Sequence, residues 1–169
     1  LFRTRCCIPC IIQSYNSEQN TVECQPAIRE RIINEDGTIQ YMNLPLLIHV
    51  PVAFPGSKSF TYKFVLEKND ECLVLFSDLS IDNFWEKSSL QNPVEVRRHD
   101  LSDGIAIPCK LSLPNWKEQS KAIIEVDKEG SIIFNTKEGT FTSEELYKVI
   151  HSHYHEDSVG GQTTTPLGV

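Results

Sequence analysis

Three of the chain's five histidines stand at alternate positions, in His151-Ser152-His153-Tyr154-His155, with Glu156-Asp157-Ser158-Val159-Gly160-Gly161 following. Imidazole suits Zn, Cu, Fe or Ni rather than Mg or Ca. Spacing decides whether the rings can act together. On an α-helix, positions i and i+2 point about 200° apart and cannot converge on one ion. On an extended strand they leave the same face, roughly 6–7 Å apart. If His151, His153 and His155 act together, the segment is therefore extended. One strand still offers too few imidazoles for a closed site. Three chains meeting on a three-fold axis, each giving two rings, supply about six nitrogens, enough for an octahedral ion. The alternatives are a solvated tail or the remnant of a tag, and a tag would be a plain polyhistidine run.

The elements that must position these rings lie just before them. Thr142-Ser143-Glu144-Glu145 fits a capping box, with Thr142 as N-cap and Glu145 three residues on. Leu146, Val149 and Ile150 then share one face, so the spacing predicts a short helix over 143–150. That helix must end near Ile150 or His151 if the histidines are to be extended. Ahead of it, 122–127 and 131–136 read as two short strands with a turn at Glu129-Gly130, and Lys137-Glu138-Gly139 turns again. Leu111–Lys117 reads as a linker. A stretch of about 60 residues with so few apolar side chains buries little core alone, and oligomerisation is the natural remedy.

The first hundred residues carry a different pattern. Residues 1–10 read as a loose arm. Short extended runs follow at 10–15, 21–33, 38–42, 46–54, 59–65 and 71–77, with an Asp36-Gly37 hairpin signal between the second and third. Pro45, Pro51 and Pro55 confine the 46–54 run to an edge or to short pieces. Ile81–Trp85 is expected to make one helical turn. Short strands separated by turn signals predict a mainly β fold, a small Greek-key barrel or sandwich closing near Ile105–Pro108.

Other candidate chemistry is weaker. Val96–Gly104 holds His99, Asp100, Ser102 and Asp103, but neighbours in sequence rarely converge as a triad requires, so a satisfied polar turn is expected. His49, inside an apolar run, is expected to be a hydrogen-bonded core histidine. Most of the six cysteines, Cys6, Cys7, Cys10, Cys24, Cys72 and Cys109, are expected to be small buried hydrophobes. Cys7-Ile8-Pro9-Cys10 lacks the strand–helix context of a redox motif. A net charge of −7 argues against a nucleic-acid surface. No apolar run reaches the roughly 18 residues of a membrane helix. The start at Leu1 rather than Met reads as a truncation, and no signal-peptide pattern opens the chain.

Taken in order, Val22–Ile28, Leu44–Leu47, Val50–Pro55, Asn69–Phe76 and Arg98–Gly104 resemble the central spike, or membrane-piercing needle, of contractile phage tail baseplates. At the other end His153-Tyr154-His155, with Gly160-Gly161 and Pro166, resembles that family's H-x-H tip, and His151-Ser152-His153 fits nearly as well. The resemblance implies an N-terminal arm over 1–10 and an oligonucleotide/oligosaccharide-binding (OB) fold barrel over 11–108. A linker and short intertwined trimeric β-helix or β-prism stem would cover 109–150, and a metal-binding apex 151–169. It implies a homotrimer with one iron ion per trimer at the apex, zinc or another transition metal being the alternative. The metal residues would be His153, His155 and His151. The implied partners are baseplate hub and tail tube proteins and the host cell envelope, with no nucleic acid. The implied location is the virion, with synthesis in the host cytoplasm. The expected role is mechanical puncture on sheath contraction, without enzymatic activity. OB surfaces often bind nucleic acid or sugar, and the acidic balance disfavours such ligands. The alternatives are a non-piercing hub adaptor, whose histidines form a solvated tail, and a metal-dependent enzyme.

Overall fold

Strand β1 (Cys7–Asn16) runs through the middle of the first of two compact units, Leu1–Lys117 and Glu118–Val169. The structure, a computed structural model, describes residues 4–118 and 120–152. β1 pairs antiparallel with β2 (Thr21–Pro26) on one side and β6 (Glu71–Phe76) on the other. The outer strands are β5 (Leu47–Pro51), paired with β2, and β7 (Gly104–Pro108), paired with β6. Alternate residues leave opposite faces of a strand, which carries Cys10, Ile12, Val22, Cys24, Cys72 and Val74 into one core. Two irregularities bend the sheet. Gln13 is an extra residue in β1, and Ile48-His49 together oppose Glu23 from β5. Such bulges kink the strand and increase its twist. The sheet thereby curls into a half-barrel whose ends meet: Val52 bridges Ala106 in parallel, and the Ala53 N–H donates to the Ala106 carbonyl at 2.9 Å.

Gly104 makes that meeting possible. A Cβ there would lie 2.8 Å from Val74 Cγ1, inside the core. A side chain at 104 would push β7 off β6 at the point where the curl closes.

Several expectations need correction. The arm over 1–10 is shorter, because Cys7–Cys10 already pair with Cys72–Leu75 in β6. The extended stretch at 21–33 is broken after Pro26. The Ala27 N–H turns back to the Pro9 carbonyl, and Glu30–Ile33 (β3) instead forms a separate ribbon with Ile39–Met42 (β4). The Asp36-Gly37 turn of that ribbon is as expected, with Gly37 at φ +81°. The alternating 59–65 run makes no strand. A tight loop has the Ser57 N–H on the Phe60 carbonyl and the Tyr62 N–H on the Pro55 carbonyl, and Phe64 packs edge-on against Phe54. The run folds back on itself instead, with Thr61 bridging Gly56. The Leu111–Lys117 linker contains a short helix, α2 (Leu113–Lys117). One Glu71 carboxylate oxygen accepts from the Leu111 and Ser112 N–H groups at 2.7 and 2.8 Å, so the first unit continues to Lys117. The helical turn α1 (Asp82–Lys87) is as expected.

A buried ion pair holds the long connection between β6 and β7. The Asp103 carboxylate, at 0% exposure, meets Arg97 Nε at 2.6 Å and Nη2 at 3.0 Å, and accepts from the Ile81 N–H at 3.0 Å. Arg97 also reaches Asp82 and Glu95. The start of α1 and the entry to β7 are therefore tied to one guanidinium. Beside it, Asp100 accepts from the Ser102 N–H and hydroxyl, which hold its carboxyl below the usual range. This is the polar turn expected over 96–104.

The second unit is built differently. β8 (Ile123–Val126), β9 (Ile132–Thr136) and β10 (Gly139–Thr142) form an antiparallel meander. Asp127 shapes the first turn by accepting from the Glu129 and Ser131 N–H groups. Phe134 stacks on Phe141, ring centres 5.0 Å apart. Among the described residues, none in this unit belongs to the buried core, and Ile124, Val126, Tyr147 and Val149 are all more than half exposed.

Replacing Arg97 with Ala should cost about 3–5 kcal/mol in urea unfolding, because it strands the Asp103 carboxylate in the core. Arg98→Ala, which removes the Nη1 contact to both oxygens of the exposed Asp78, should cost under about 1 kcal/mol. Equal losses in the two variants would refute the clasp.

Candidate functional site

The helix before the histidines forms as its capping box dictates. The Glu145 N–H donates to Thr142 Oγ1 at 3.2 Å, and the Thr142 N–H donates to Glu145 Oε2 at 2.8 Å. The helix, α3 (Ser143–Ser152), runs beyond the expected end near Ile150. His151 is therefore helical, not extended. Its ring stacks on Tyr147, centres 3.8 Å apart, as residues four apart on a helix can. His151 Nδ1 lies 3.0 Å from the Tyr147 carbonyl. A carbonyl only accepts, so this contact needs a proton on Nδ1, and the neutral tautomer that makes it has its lone pair on Nε2. This is the arrangement metal-bound histidines use, the second ring nitrogen orienting the first. His151 thus fits a metal ligand through Nε2 alone. His153 and His155 lie outside the described residues. Among the described residues, no group of three His, Cys, Asp or Glu side chains could hold a metal ion.

The other two described histidines belong to the first unit. His49 is not in the core. As part of the β5 bulge it adopts φ +53° and is exposed. His99 is at φ +48°, its Nε2 3.2 Å from Asp78 Oδ1 and its buried Nδ1 without a hydrogen-bond partner. Ser102 gives its hydroxyl to Asp100, so His99 and Ser102 serve different carboxylates.

Three of the six cysteines, not most, are buried. Cys10, Cys24 and Cys72 sit at 0–1% exposure, with Cys10 directly opposite Cys72 across β1 and β6. Cys6 and Cys7 are exposed and Cys109 is half-buried, all as free thiols. Contacts among the three core thiols act in both directions, and with burial and the neighbouring thiols' charges added each is pushed from 9.0 up to about 12. They are packing groups that stay protonated. Their convergence was visible only as an even parity within each strand, Cys10 with Ile12 and Cys72 with Val74. It becomes a cluster only once β2 and β6 are known to flank β1.

The thiols give a pH dependence whose sign follows from linkage. A folded-state value raised above the unfolded one means that the stability contribution is complete below about pH 9 and is lost as pH rises towards about 12. Thermal unfolding followed from pH 8 upward should show the midpoint falling across that window. Iodoacetamide at pH 8 should label Cys6 and Cys7 in the folded protein and reach Cys10, Cys24 and Cys72 only after denaturation. A flat midpoint, or early labelling of the core thiols, would contradict this account.

No curated protein matches the chain. Residues 8–109 match the family described as phage protein Gp138 N-terminal domain. That span begins at the second residue of β1 and ends one residue after β7, so it takes in all of the half-barrel's strands but Cys7. It covers more than half of the sequence, and the chain therefore belongs to the phage protein Gp138 N-terminal domain family.

Proposed function

We propose that this phage protein is a virion component, the central spike of a contractile tail baseplate or of a phage-like injection system. It works as a homotrimer that punctures the host envelope mechanically. The observation that carries the reading is the second unit. Its meander and α3 leave Ile124, Val126, Leu146, Tyr147, Val149 and Ile150 exposed, with no buried core of their own among the described residues. A small sheet of this kind needs further packing to be stable, and two more copies of the chain supply it at a three-fold axis. The family match supports the phage assignment.

The half-barrel is read as the OB domain at the spike's base. Its antiparallel pairings, with β1 between β2 and β6 and the third strand β5 meeting the last strand β7 in parallel, support a partly open five-stranded Greek-key barrel. The base would dock on baseplate hub and tail tube proteins. The stem would cover 109–150, its strands and helix being those of the second unit, and 151–169 would be the apex. There His153 and His155 from three chains, with His151 as the further candidate through Nε2, would hold one iron ion. When bound, the ion would supply a cross-link between three chain ends, which otherwise fray. A structural zinc site contributes on the order of 10–16 kcal/mol in peptides, so a fraction of that would hold an apex closed. The role is mechanical rather than catalytic.

The test is mass and metal together. The purified chain should behave as a trimer by light scattering and contain iron or zinc at one ion per three chains. His153→Ala should remove that metal while the half-barrel keeps its β circular-dichroism spectrum. A metal-free trimer would favour the hub adaptor with a solvated tail. A monomer at micromolar concentration would overturn the reading.

A further inference from the structure

Between Gly37 and Leu66 the chain carries no Asp or Glu, although its net charge is −7. Within that stretch the loop from Pro55 to Val65 is exposed at every residue. It is nevertheless a built structure. The Gly56–Thr61 bridge closes its neck, the Ser57 N–H donates to the Phe60 carbonyl at 2.6 Å, and the Tyr62 N–H donates to the Pro55 carbonyl at 2.8 Å. A Cβ at Gly56 would lie 2.9 Å from the Phe60 carbonyl oxygen, so the neck needs glycine. Phe54, just before the loop, packs on the core, and Leu66, just after it, is part of that core. The loop is thus pinned at both ends and held in shape between them.

What the loop presents is apolar and cationic together. Phe60 and Val65 are 64% and 80% exposed, and Tyr62 and Phe64 are close to half exposed. The Phe60 and Tyr62 rings stand edge to face, centres 6.2 Å apart, so they form one aromatic patch rather than two isolated side chains. Apolar residues scattered singly over a surface are ordinary, whereas a fixed cluster of them marks an interaction site. Lys58 and Lys63 lie in the same loop, both exposed, and no carboxylate pairs with either among the described residues. The first acidic residue beyond the loop, Glu67, follows the buried Leu66.

The shape of the loop selects among partners that combine apolar surface with negative charge. Peptides are recognised in a groove or along a sheet edge, and a loop exposed at every residue, with one bridge for strand pairing, offers neither. Single-stranded nucleic acid follows a basic groove lined by stacking rings, and two lysines on one loop make no groove. A bilayer asks for less shape. Aromatic side chains with a polar tip, such as Tyr62, rest at the boundary between headgroups and acyl chains. Lysines lay their stems along apolar surface and keep the ammonium among the phosphates. We propose that the 55–65 loop is a lipid-contact site, which sets Phe60 and Tyr62 into the interface of a bilayer rich in anionic phospholipid while Lys58 and Lys63 meet the headgroup phosphates. The net charge of the chain does not oppose this, because exposed charges more than about 8 Å away are largely screened at physiological salt. The proposal deepens the proposed function by naming what in the host envelope the first unit touches. It rests on that reading for the membrane, and on neither the trimer nor the apical metal.

The test sediments the full chain with vesicles of phosphatidylglycerol and phosphatidylethanolamine, and with vesicles of phosphatidylcholine alone. The chain should bind the first, lose that binding as salt is raised, and stay in solution with the second. Lys58→Gln combined with Lys63→Gln should weaken binding roughly tenfold or more, each lysine near an anionic surface contributing about fivefold. Phe60→Ser should weaken it by a similar factor, with the circular-dichroism spectrum unchanged in both variants. Leu90→Ser combined with Val96→Ser removes apolar residues that are 100% and 95% exposed elsewhere in the first unit, and should leave binding as it was. No binding, binding indifferent to vesicle charge or to the loop substitutions, or an equal loss in the Leu90 and Val96 control would overturn the proposal. So would release from the vesicles by poly-glutamate or by a single-stranded oligonucleotide at equal charge concentration, which would assign the loop to an acidic protein or to nucleic acid. Oligomeric state and metal content are read separately, so a trimeric, metal-loaded chain that ignores the vesicles would defeat this inference alone.

Discussion

The half-barrel depends on how closely β7 can approach Val74 and the end of β5. Close packing leaves no slack in such a place. Gly104 has no side chain to hold β7 away, and Ala106, fully buried, lets it run beside Val52. The neighbouring residue, Asp103, is the buried carboxylate gripped by Arg97. The approach to β7 is thus set by an ion pair and its entry by the absence of a side chain. Burying a charge is expensive unless it is paired and hydrogen-bonded. Asp103 meets that condition with two guanidinium nitrogens and a backbone N–H. The long β6–β7 connection, mostly irregular and exposed, is in this way anchored at both the start of α1 and the start of β7.

The two units answer the same need in different ways. The first closes a sheet on itself and removes Ile12, Val22, Val74 and three thiols from water. The second has a comparable supply of apolar residues in Ile123, Ile124, Val126, Ile132, Val149 and Ile150, but its three-stranded meander and α3 leave them all largely exposed among the described residues. Burying apolar surface is the main favourable term in folding. The apolar surface that the described residues of this unit expose is the reason the proposed function places it at an axis of symmetry.

Much of this arrangement could be read from the residues, and the failures have physical causes. Alternation identified β1 and β6, Asp36-Gly37 identified the ribbon turn, and Thr142 with Glu145 identified the start of α3, because each signal is local. His49 was misread because a bulge inserts one residue and resets the count of inward and outward positions, and nothing local in Leu46–Phe54 marks it. The 59–65 run failed for a different reason: its alternation is sound, but its backbone bonds go to 55–57 in a tight loop rather than to a strand. The Arg97–Asp103 pair lies within seven residues of sequence, yet its burial depends on Ile81 and the curl of the sheet. At the candidate apex, the capping box located where α3 begins, whereas its end past His151 rests on the Tyr147–His151 stack.

Thr142 belongs at once to the last strand and to the first turn of α3. It pairs with Ile133 across the sheet, while its hydroxyl receives the Glu145 N–H and its own N–H is taken by Glu145. No loop separates strand from helix, so there is no hinge there. A compressive load entering through α3 would pass into the meander as through a rigid elbow. It would be borne by backbone hydrogen bonds and the stacked Phe134 and Phe141 rather than absorbed by a flexing joint.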